Sequence, residues 1–248
     1  MFRKSTLASA ILLSAAVFAT LSTAQAETIY NGMIYPGENW ISVPAEPYDA
    51  APALVFEDVP INGSLTRRDP ATQAQIVYNA ADPSLFGDVA RGVGYSLNFT
   101  GTEPMRVSFK GTDDRLFGKV RVRLYHGENW IGTPWNHSID FASIYLNDGT
   151  QYVPISQAIN MGWLMPDWIG LDPVYQAAFT VSLPEFFPSS SRLEPWHMYK
   201  VFVNSPPYLE VVMRASTDEP IPEPSSLVTL GSGCMACLGA YARRRQRR

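Results

Sequence analysis

Residues 120–134 carry the pattern that decides the fold: Val-Arg-Val-Arg-Leu-Tyr-His-Gly-Glu-Asn-Trp-Ile-Gly-Thr-Pro. In its first half, Val120, Val122 and Leu124 alternate with arginine and tyrosine. Successive side chains of a strand point to opposite faces, so a period of two predicts a strand with one buried face. The second half begins with a turn at Gly127 and continues into a further extended segment. The stretch therefore predicts antiparallel sheet.

The same alternation recurs through the middle of the chain and predicts about nine or ten strands. Alternating segments occupy 95–100, 105–110, 120–125 and 179–183, and further extended runs occupy 53–59, 72–79, 139–147, 198–204 and 208–215. Many short strands separated by Gly, Pro and Asp predict an all-β domain, an antiparallel β-sandwich or jelly roll. Asn147-Asp148-Gly149 predicts a tight hairpin. Residues 111–118 predict a longer hairpin loop that joins the strands on either side.

A ten-residue repeat lies within this β-rich region. Residues 35–44 and 125–134 are identical at seven of their ten positions, and share the sequence Gly-Glu-Asn-Trp-Ile. Gly37 and Gly127 stand third in each segment's opening turn, where a type II turn requires a positive φ. The repeat predicts two equivalent hairpins in a body with pseudo-twofold character. A structural role and a pair of binding sites both fit it.

The amino terminus is predicted to be a leader that lies outside the folded domain. Two basic residues precede an apolar run at 7–21, and Ala24 and Ala26 frame a small-residue cleavage site. This arrangement is typical of a secretory signal peptide helix, so residues 1–26 are predicted to be removed on export.

The carboxyl terminus has three parts. Pro222, Glu223 and Pro224 precede an uncharged run at 225–242, and an arginine cluster ends the chain: Arg243, Arg244, Arg245, Arg247 and Arg248. Eighteen helical residues reach about 27 Å, close to the roughly 30 Å of a bilayer core. The run predicts a transmembrane helix, and the arginines favour a cytoplasmic end. Residues 218–248 are thus separated from a folded domain at 27–217.

This tail resembles the PEP-CTERM sorting signal, which combines a Pro-Glu-Pro motif, a transmembrane helix and an arginine cluster. The resemblance covers about a tenth of the chain and does not extend to the body. It implies recognition by an exosortase, a transpeptidase-like membrane enzyme of bacteria that make exopolysaccharide. The implied route is export, transient anchoring in the inner membrane, and then release or attachment at the cell surface or in a biofilm matrix. An ordinary membrane anchor without processing is the alternative.

Charge and cysteine content restrict the function of the body. Residues 27–220 hold 12 basic and 22 acidic side chains, a net charge of about −10. An acidic exported domain is a poor candidate for binding nucleic acid. Cys234 and Cys237 both lie in the tail, so the body has no thiol for a disulfide or a metal. No metal or cofactor motif is present, and no cofactor is predicted.

Tryptophans supply the candidate binding residues. Trp163 and Trp168 flank a predicted loop at Pro166-Asp167, and Trp130 and Trp135 precede it in the same half of the chain. An exposed indole can stack on the apolar face of a sugar ring, which would suit delivery into an exopolysaccharide layer. The alternative is that these rings fill the core of a domain without disulfides.

Two functions follow from the sequence. The first is a non-catalytic exported protein of the cell surface or extracellular matrix, associated with polysaccharide. The second is a secreted polysaccharide-active enzyme of glycoside hydrolase type, delivered by the same route. No catalytic residue is assigned, because no close histidine spacing or nucleophile elbow is present. Glu128 is the first carboxylate to examine for glycosidase chemistry, although Glu38 takes the same place in the other repeat copy.

Overall fold

A computed structural model describes residues 28–112, 118–183 and 192–214, and the chain there is mostly antiparallel β-structure. The strands are β1 (Thr28–Ile34), β2 (Gly37–Ser42), β3 (Glu46–Pro47), β4 (Leu65–Arg68), β5 (Gln75–Val77), β6 (Gly94–Phe99), β7 (Met105–Thr112), β8 (Lys119–Gly132), β9 (Ile139–Asp140), β10 (Tyr145–Asn147), β11 (Tyr152–Pro154), β12 (Trp168–Asp172), β13 (Ala177–Val181), β14 (Arg192–Leu193) and β15 (Met198–Arg214). Nine of them have four or more residues. The all-β prediction is confirmed.

Helices are short in this part of the chain. They are α1 (Pro52–Val55), α2 (Ile155–Asn160) and 3₁₀ turns at Pro83–Leu85 and Phe141–Ser143. The strand predicted at 53–59 is wrong, because Pro52 takes the first position of α1, where its missing N–H costs no hydrogen bond. No helix among the described residues is long and apolar enough to cross a membrane. The predicted leader at 1–26 and the sorting region from Asp218 onward lie outside the described residues.

Four sheets result from the pairing of these strands. Their strand orders are β1-β7-β3, β2-β6-β4-β5, β9-β14, and β11-β10-β15-β12-β13 with β8 also paired to β15. β10 and β11 form the hairpin predicted at Asn147-Asp148-Gly149. The hairpin predicted across 111–118 is wrong, because β7 pairs with β1 and β8 pairs with β15.

The sheets repeat themselves along the chain. Ile34 faces Met105 in the β1-β7 pair, and Leu124 faces Leu209 in the β8-β15 pair. Leu124 lies 90 positions after Ile34, and Leu209 lies 104 positions after Met105. The pairs of β2-β6 run from Gly37 opposite Phe99 to Ser42 opposite Gly94. Adding 90 to the β2 residue and 104 to the β6 residue converts each of these pairs into a pair of β8-β15. We call residues 28–112 the first repeat and 118–214 the second repeat. The domain is an internal duplication.

The remaining long strands obey the same relation. Thr66 faces Val77 in the β4-β5 pair, and Ile169 faces Thr180 in the β12-β13 pair, an offset of 103 on both sides. The offset grows from 90 to 103 because the segment between β8 and β12 is longer than the one between β2 and β4. The longer segment holds β9, β10, β11 and α2, and the shorter one holds β3 and α1.

Each repeat has its own hydrophobic core. One cluster of buried side chains draws only on residues between Tyr30 and Phe109, and the other only on residues between Val120 and Met213. Trp196 of the second repeat is the exception, since it packs against the core of the first. Burying the alternate apolar faces of the strands stabilises each core by roughly 25 cal/mol for each Å² of apolar surface removed from water.

The repeats contact one another in matched pairs. Ile41 bridges to His197, and Val93 bridges to Ile131, so exchanging the repeats maps one bridge onto the other. Two backbone hydrogen bonds are matched in the same way: the N–H of Ser42 donates to the carbonyl oxygen of Trp196 at 3.2 Å, and that of Gly132 to Gly92 at 3.0 Å. Contacts that map onto themselves on exchange are typical of twofold symmetry. The pseudo-twofold character predicted from the sequence repeat is confirmed. The two hairpins predicted with it are wrong, because β1 and β2 pair with β7 and β6, and most of the second copy lies within the single strand β8.

Candidate functional site

The ten-residue repeat builds the turn that opens β2 and the corresponding part of β8. Gly37 and Gly127 have φ of 98° and 100°, as the type II turn prediction requires. The Asn39 side chain accepts from the N–H of Tyr35 at 2.8 Å and donates to its carbonyl at 2.8 Å. Asn129 makes the equivalent bonds to Tyr125. Asparagine is shared by both copies because it satisfies both polar groups of the turn.

A second sequence repeat, which the sequence analysis did not identify, supplies a hydrogen bond to each of these turns. Residues 69–74 and 172–177 share the pattern Asp-Pro-x-x-Gln-Ala. Gln73 accepts from the backbone N–H of Glu128 at 2.9 Å, and Gln176 accepts from that of Glu38 at 2.9 Å. Each glutamine therefore reaches into the other repeat. A search for short matches at the observed offset of 103 would have found it.

Buried tyrosines hold a corner in each repeat. The hydroxyl of Tyr95 accepts from the N–H of Ala90 at 2.9 Å, and that of Tyr199 accepts from Glu194 at 2.7 Å. Burial raises the pKa of Tyr95 to about 12 and also raises the pKa of Tyr199. Both phenols are therefore neutral at physiological pH, and their role is structural.

The four tryptophans predicted from the sequence as glycan-binding residues are buried. Trp135 and Trp168 are 0% exposed, and Trp130 and Trp163 are 7% exposed. Trp168 packs edge-on against Phe141, with ring centroids 4.8 Å apart. The structure does not bring the four rings together on a surface. Their burial favours the core-filling alternative.

Glu128, the first candidate for glycosidase chemistry, is held by neighbouring side chains. Its carboxylate accepts from the indole N–H of Trp130 at 2.6 Å and lies 3.6 Å from the Arg68 guanidinium. Glu38 accepts from Trp40 at 2.6 Å in the first repeat. The shared Glu-x-Trp contact indicates that both carboxylates orient an indole. Among the described residues, no group of three His, Cys, Asp or Glu could hold a metal ion.

Two other tryptophans line an open groove that is built mainly by the first repeat and completed by residues of the second. The groove measures about 380 Å³, and its walls are Asn31, Gly32, Met33, Tyr35, Trp40, Ile41, Arg106, Pro173, Trp196 and His197. Small-molecule sites commonly measure roughly 300–1,000 Å³ and combine aromatic walls with a few polar groups. Trp40 and Trp196 are both half-buried, so part of each indole faces solvent. This groove is the candidate functional site.

Trp40 is held in a fixed orientation. Its indole N–H donates to Glu38, and the Lys200 ammonium lies 3.8 Å from its ring centroid. The same ammonium lies 5.7 Å from the ring of Trp130 in the second repeat. A cation over an indole face is worth about 0.5–1 kcal/mol at exposed sites. The wall that Trp40 contributes is therefore pre-ordered.

Trp196 adopts an energetically unfavourable conformation in the groove. Its backbone has φ of 66°, a region that bulky residues rarely adopt. Its indole nitrogen is buried and has no hydrogen-bond partner among the described residues. The ring lies on Gly32, where an added Cβ would be only 2.5 Å from its Cε3 atom, and it packs edge-on against Phe109. Only a glycine in β1 permits this placement.

The second repeat has no such wall. The counterpart of Trp196 is Gly92, whose φ of 76° costs glycine little. The counterpart of Gly32 is Val122, whose Cγ2 lies 3.0 Å from where a Cβ on Gly92 would be. At both corners a larger side chain therefore packs on a glycine. At one corner Trp196 packs on the strand residue Gly32, and at the other the strand residue Val122 packs on Gly92. Since the fold forms with glycine at this corner, the tryptophan is not required for it.

Comparison of the chain with protein-family models, with curated proteins and with solved structures finds no match.

Proposed function

We propose that this is an exported, non-catalytic protein of the cell surface or extracellular matrix that associates with polysaccharide through the groove on its first repeat. The observation that carries the proposal is Trp196, an aromatic side chain at positive φ where the other repeat has glycine. Strained backbone of this kind costs about 1–3 kcal/mol and clusters at functional sites.

The chemistry of the groove suits a sugar chain. Trp40, Trp196 and Tyr35 provide flat apolar surface, and Asn31 and His197 provide hydrogen-bonding groups beside it. Indole faces pack against the apolar C–H face of a pyranose, while adjacent polar groups meet its hydroxyls. Because the groove is open to solvent, a sugar residue within a longer chain can reach it.

The delivery route supports the same function. Residues 1–26 and the tail with Pro222, Glu223 and Pro224 have the features of an exported exosortase substrate. We infer that the inner membrane holds the protein only transiently, and that its partners are the export machinery, the exosortase and exopolysaccharide. The finer architecture, a β-sandwich or jelly roll, also belongs to this proposal, supported by the antiparallel pairing of the strands into several sheets.

Binding is favoured over hydrolysis by the composition of the groove. A glycosidase of the usual kind needs two carboxyl groups across a cleft, about 5–10 Å apart. The described residues that line the groove include neither aspartate nor glutamate. A polysaccharide-active enzyme would therefore need a site elsewhere in the chain.

Polysaccharide binding is tested with the full-length chain in mild detergent on an array of bacterial and plant glycans. Trp40→Ala and Trp196→Gly should each weaken binding about tenfold or more, equivalent to about 1.4 kcal/mol, because each removes a stacking face. The glycine variant suits the local backbone, as Gly92 shows.

Tyr175→Ala is the matched control, since this aromatic side chain is 80% exposed and does not line the groove. It should bind like the parent protein. Thermal melts of all variants separate lost binding from lost folding. If the parent protein binds no glycan, or if both tryptophan variants bind normally while folded, the proposal is wrong.

A further inference from the structure

Arg106 is the charged wall of the groove. It lies on β7 opposite Met33 and is exposed, and its side chain makes no hydrogen bond or ion pair with any residue in the described ranges. Its guanidinium is charged at every physiological pH. The groove therefore has a positive charge beside two indoles, in a body whose net charge is about −10.

The second repeat shows how the fold neutralises the same place. The counterpart of Arg106 is Glu210, which pairs with Arg121 at 3.3 Å. The counterpart of Arg121 is Asn31, whose side chain instead accepts from the hydroxyl of Ser108 at 2.9 Å. The first repeat therefore has a lone cation where the second repeat has an ion pair. The fold does not need that cation, because the other repeat forms the same strand pair without it.

We propose that the groove selects a uronic acid residue of an acidic polysaccharide, with Arg106 binding the sugar carboxylate. This inference rests on the proposed polysaccharide function. The planar guanidinium fork matches a carboxylate with two parallel hydrogen bonds. A hexuronate presents both groups that the groove can bind, an apolar ring face for the indoles of Trp40 and Trp196 and a carboxylate at the ring edge for Arg106.

The test compares two oligomers that differ only in the carboxylate. Titration calorimetry of the full-length chain in nonionic detergent would use hexagalacturonate and its carboxyl-reduced hexamer. The parent protein should bind the uronate hexamer at least tenfold more tightly. Arg106→Gln should reduce this preference to less than about twofold and leave the affinity for the reduced hexamer unchanged, because the stacking faces remain.

Arg192→Gln makes the same change of charge on β14, outside the groove, and should keep the full preference. Equal binding of both hexamers by the parent protein, or a preference that persists in Arg106→Gln, would overturn the uronate inference and leave the proposed function intact. Tighter binding of a sulfated galactan hexamer than of the uronate would also overturn it. Failure to bind either hexamer or any neutral glycan would contradict the proposed function itself.

Discussion

Trp196 and Gly92 show how one backbone position can carry two different roles. Both residues have positive φ, 66° and 76°, at matched corners of the duplication. Glycine adopts this region freely, whereas a tryptophan there is strained by about 1–3 kcal/mol. The packing of the ring on Gly32 and against Phe109 maintains this strained conformation. The comparison between repeats separates the residue that the fold requires from the residue that it only tolerates.

Gln73 is one of the two glutamines whose loss should weaken the contact between the repeats. Its amide oxygen accepts from the Glu128 N–H at 2.9 Å and from the Arg68 guanidinium at 3.1 Å. Gln73→Ala should lower the free energy of unfolding by about 1–3 kcal/mol, because it removes the bond and leaves the Glu128 N–H without this partner. Urea unfolding of the parent and variant measures the change.

Gln75→Ala is the control, since Gln75 is an exposed residue of the neighbouring strand β5. It should change the unfolding free energy by no more than about 0.5 kcal/mol. Both alanine variants keep a Cβ, so the backbone strain at Gln73, with φ of 62°, is unchanged by the substitution. Equal destabilisation by the two variants would show that the contact across the repeats contributes nothing.

At the scale of elements, β2 and β8 approach each other where the pseudo-twofold relation places Ser42 against Gly132. The Ser42 hydroxyl donates to the carbonyl oxygen of His197 at 3.1 Å. A Cβ on Gly132 would overlap the Ser42 side chain and lie 2.6 Å from that same carbonyl oxygen. The two strands therefore have room for only one side chain between them.

Gly132→Ser should destabilise the protein by about 1–3 kcal/mol or more, because it overpacks this crossing. The exchanged double variant Ser42→Gly/Gly132→Ser should recover part of the loss, because it removes the overlap with the Ser42 side chain but keeps the 2.6 Å contact with the His197 carbonyl oxygen. Thermal unfolding of the two single variants and the double variant gives the coupling. A double variant no more stable than Gly132→Ser would mean that the local environments differ and the symmetry does not extend to packing.

At the scale of the whole molecule, two similar repeats with separate cores are joined by reciprocal contacts. Gln73 reaches from the first repeat into the second, and Gln176 reaches back. Trp196 also crosses into the first core. Both repeats share the same strand pairing, but the residues at matched positions can differ. The groove on the first repeat is such a divergence.

Delivery is a property of the whole chain and is tested in the native host. Replacing Pro222, Glu223 and Pro224 with alanines should retain the protein in the inner membrane with an unprocessed tail, because the sorting enzyme loses its recognition motif. Mass spectrometry of cell fractions gives the mature mass and the location. Replacing Pro206 and Pro207, which lie within β15, is the matched control for proline loss and should leave processing unchanged. Unchanged processing of the tail variant would contradict the sorting proposal.

Much of the secondary structure was predictable, because alternation and turn chemistry are local. The strands at 95–100, 105–110 and 120–125 follow from a period of two, and the positive φ of Gly37 and Gly127 follows from the turn. Pairing was less predictable. β7 and β8 adjoin in sequence but belong to different repeats, so each pairs with a distant strand and not with its neighbour. Proximity along the chain carried no information about that choice.

The sequence by itself determined the local geometry of the repeated Gly-Glu-Asn-Trp-Ile segment, since both copies form the same turn, the same asparagine bonds and the same Glu-Trp contact. Only the tertiary structure decided what each tryptophan does. Trp130 is 7% exposed, whereas Trp40 is half-buried and lines the groove. The physical reason is that an indole's exposure depends on what packs over it, and those residues, Lys200 among them, lie far away in the sequence.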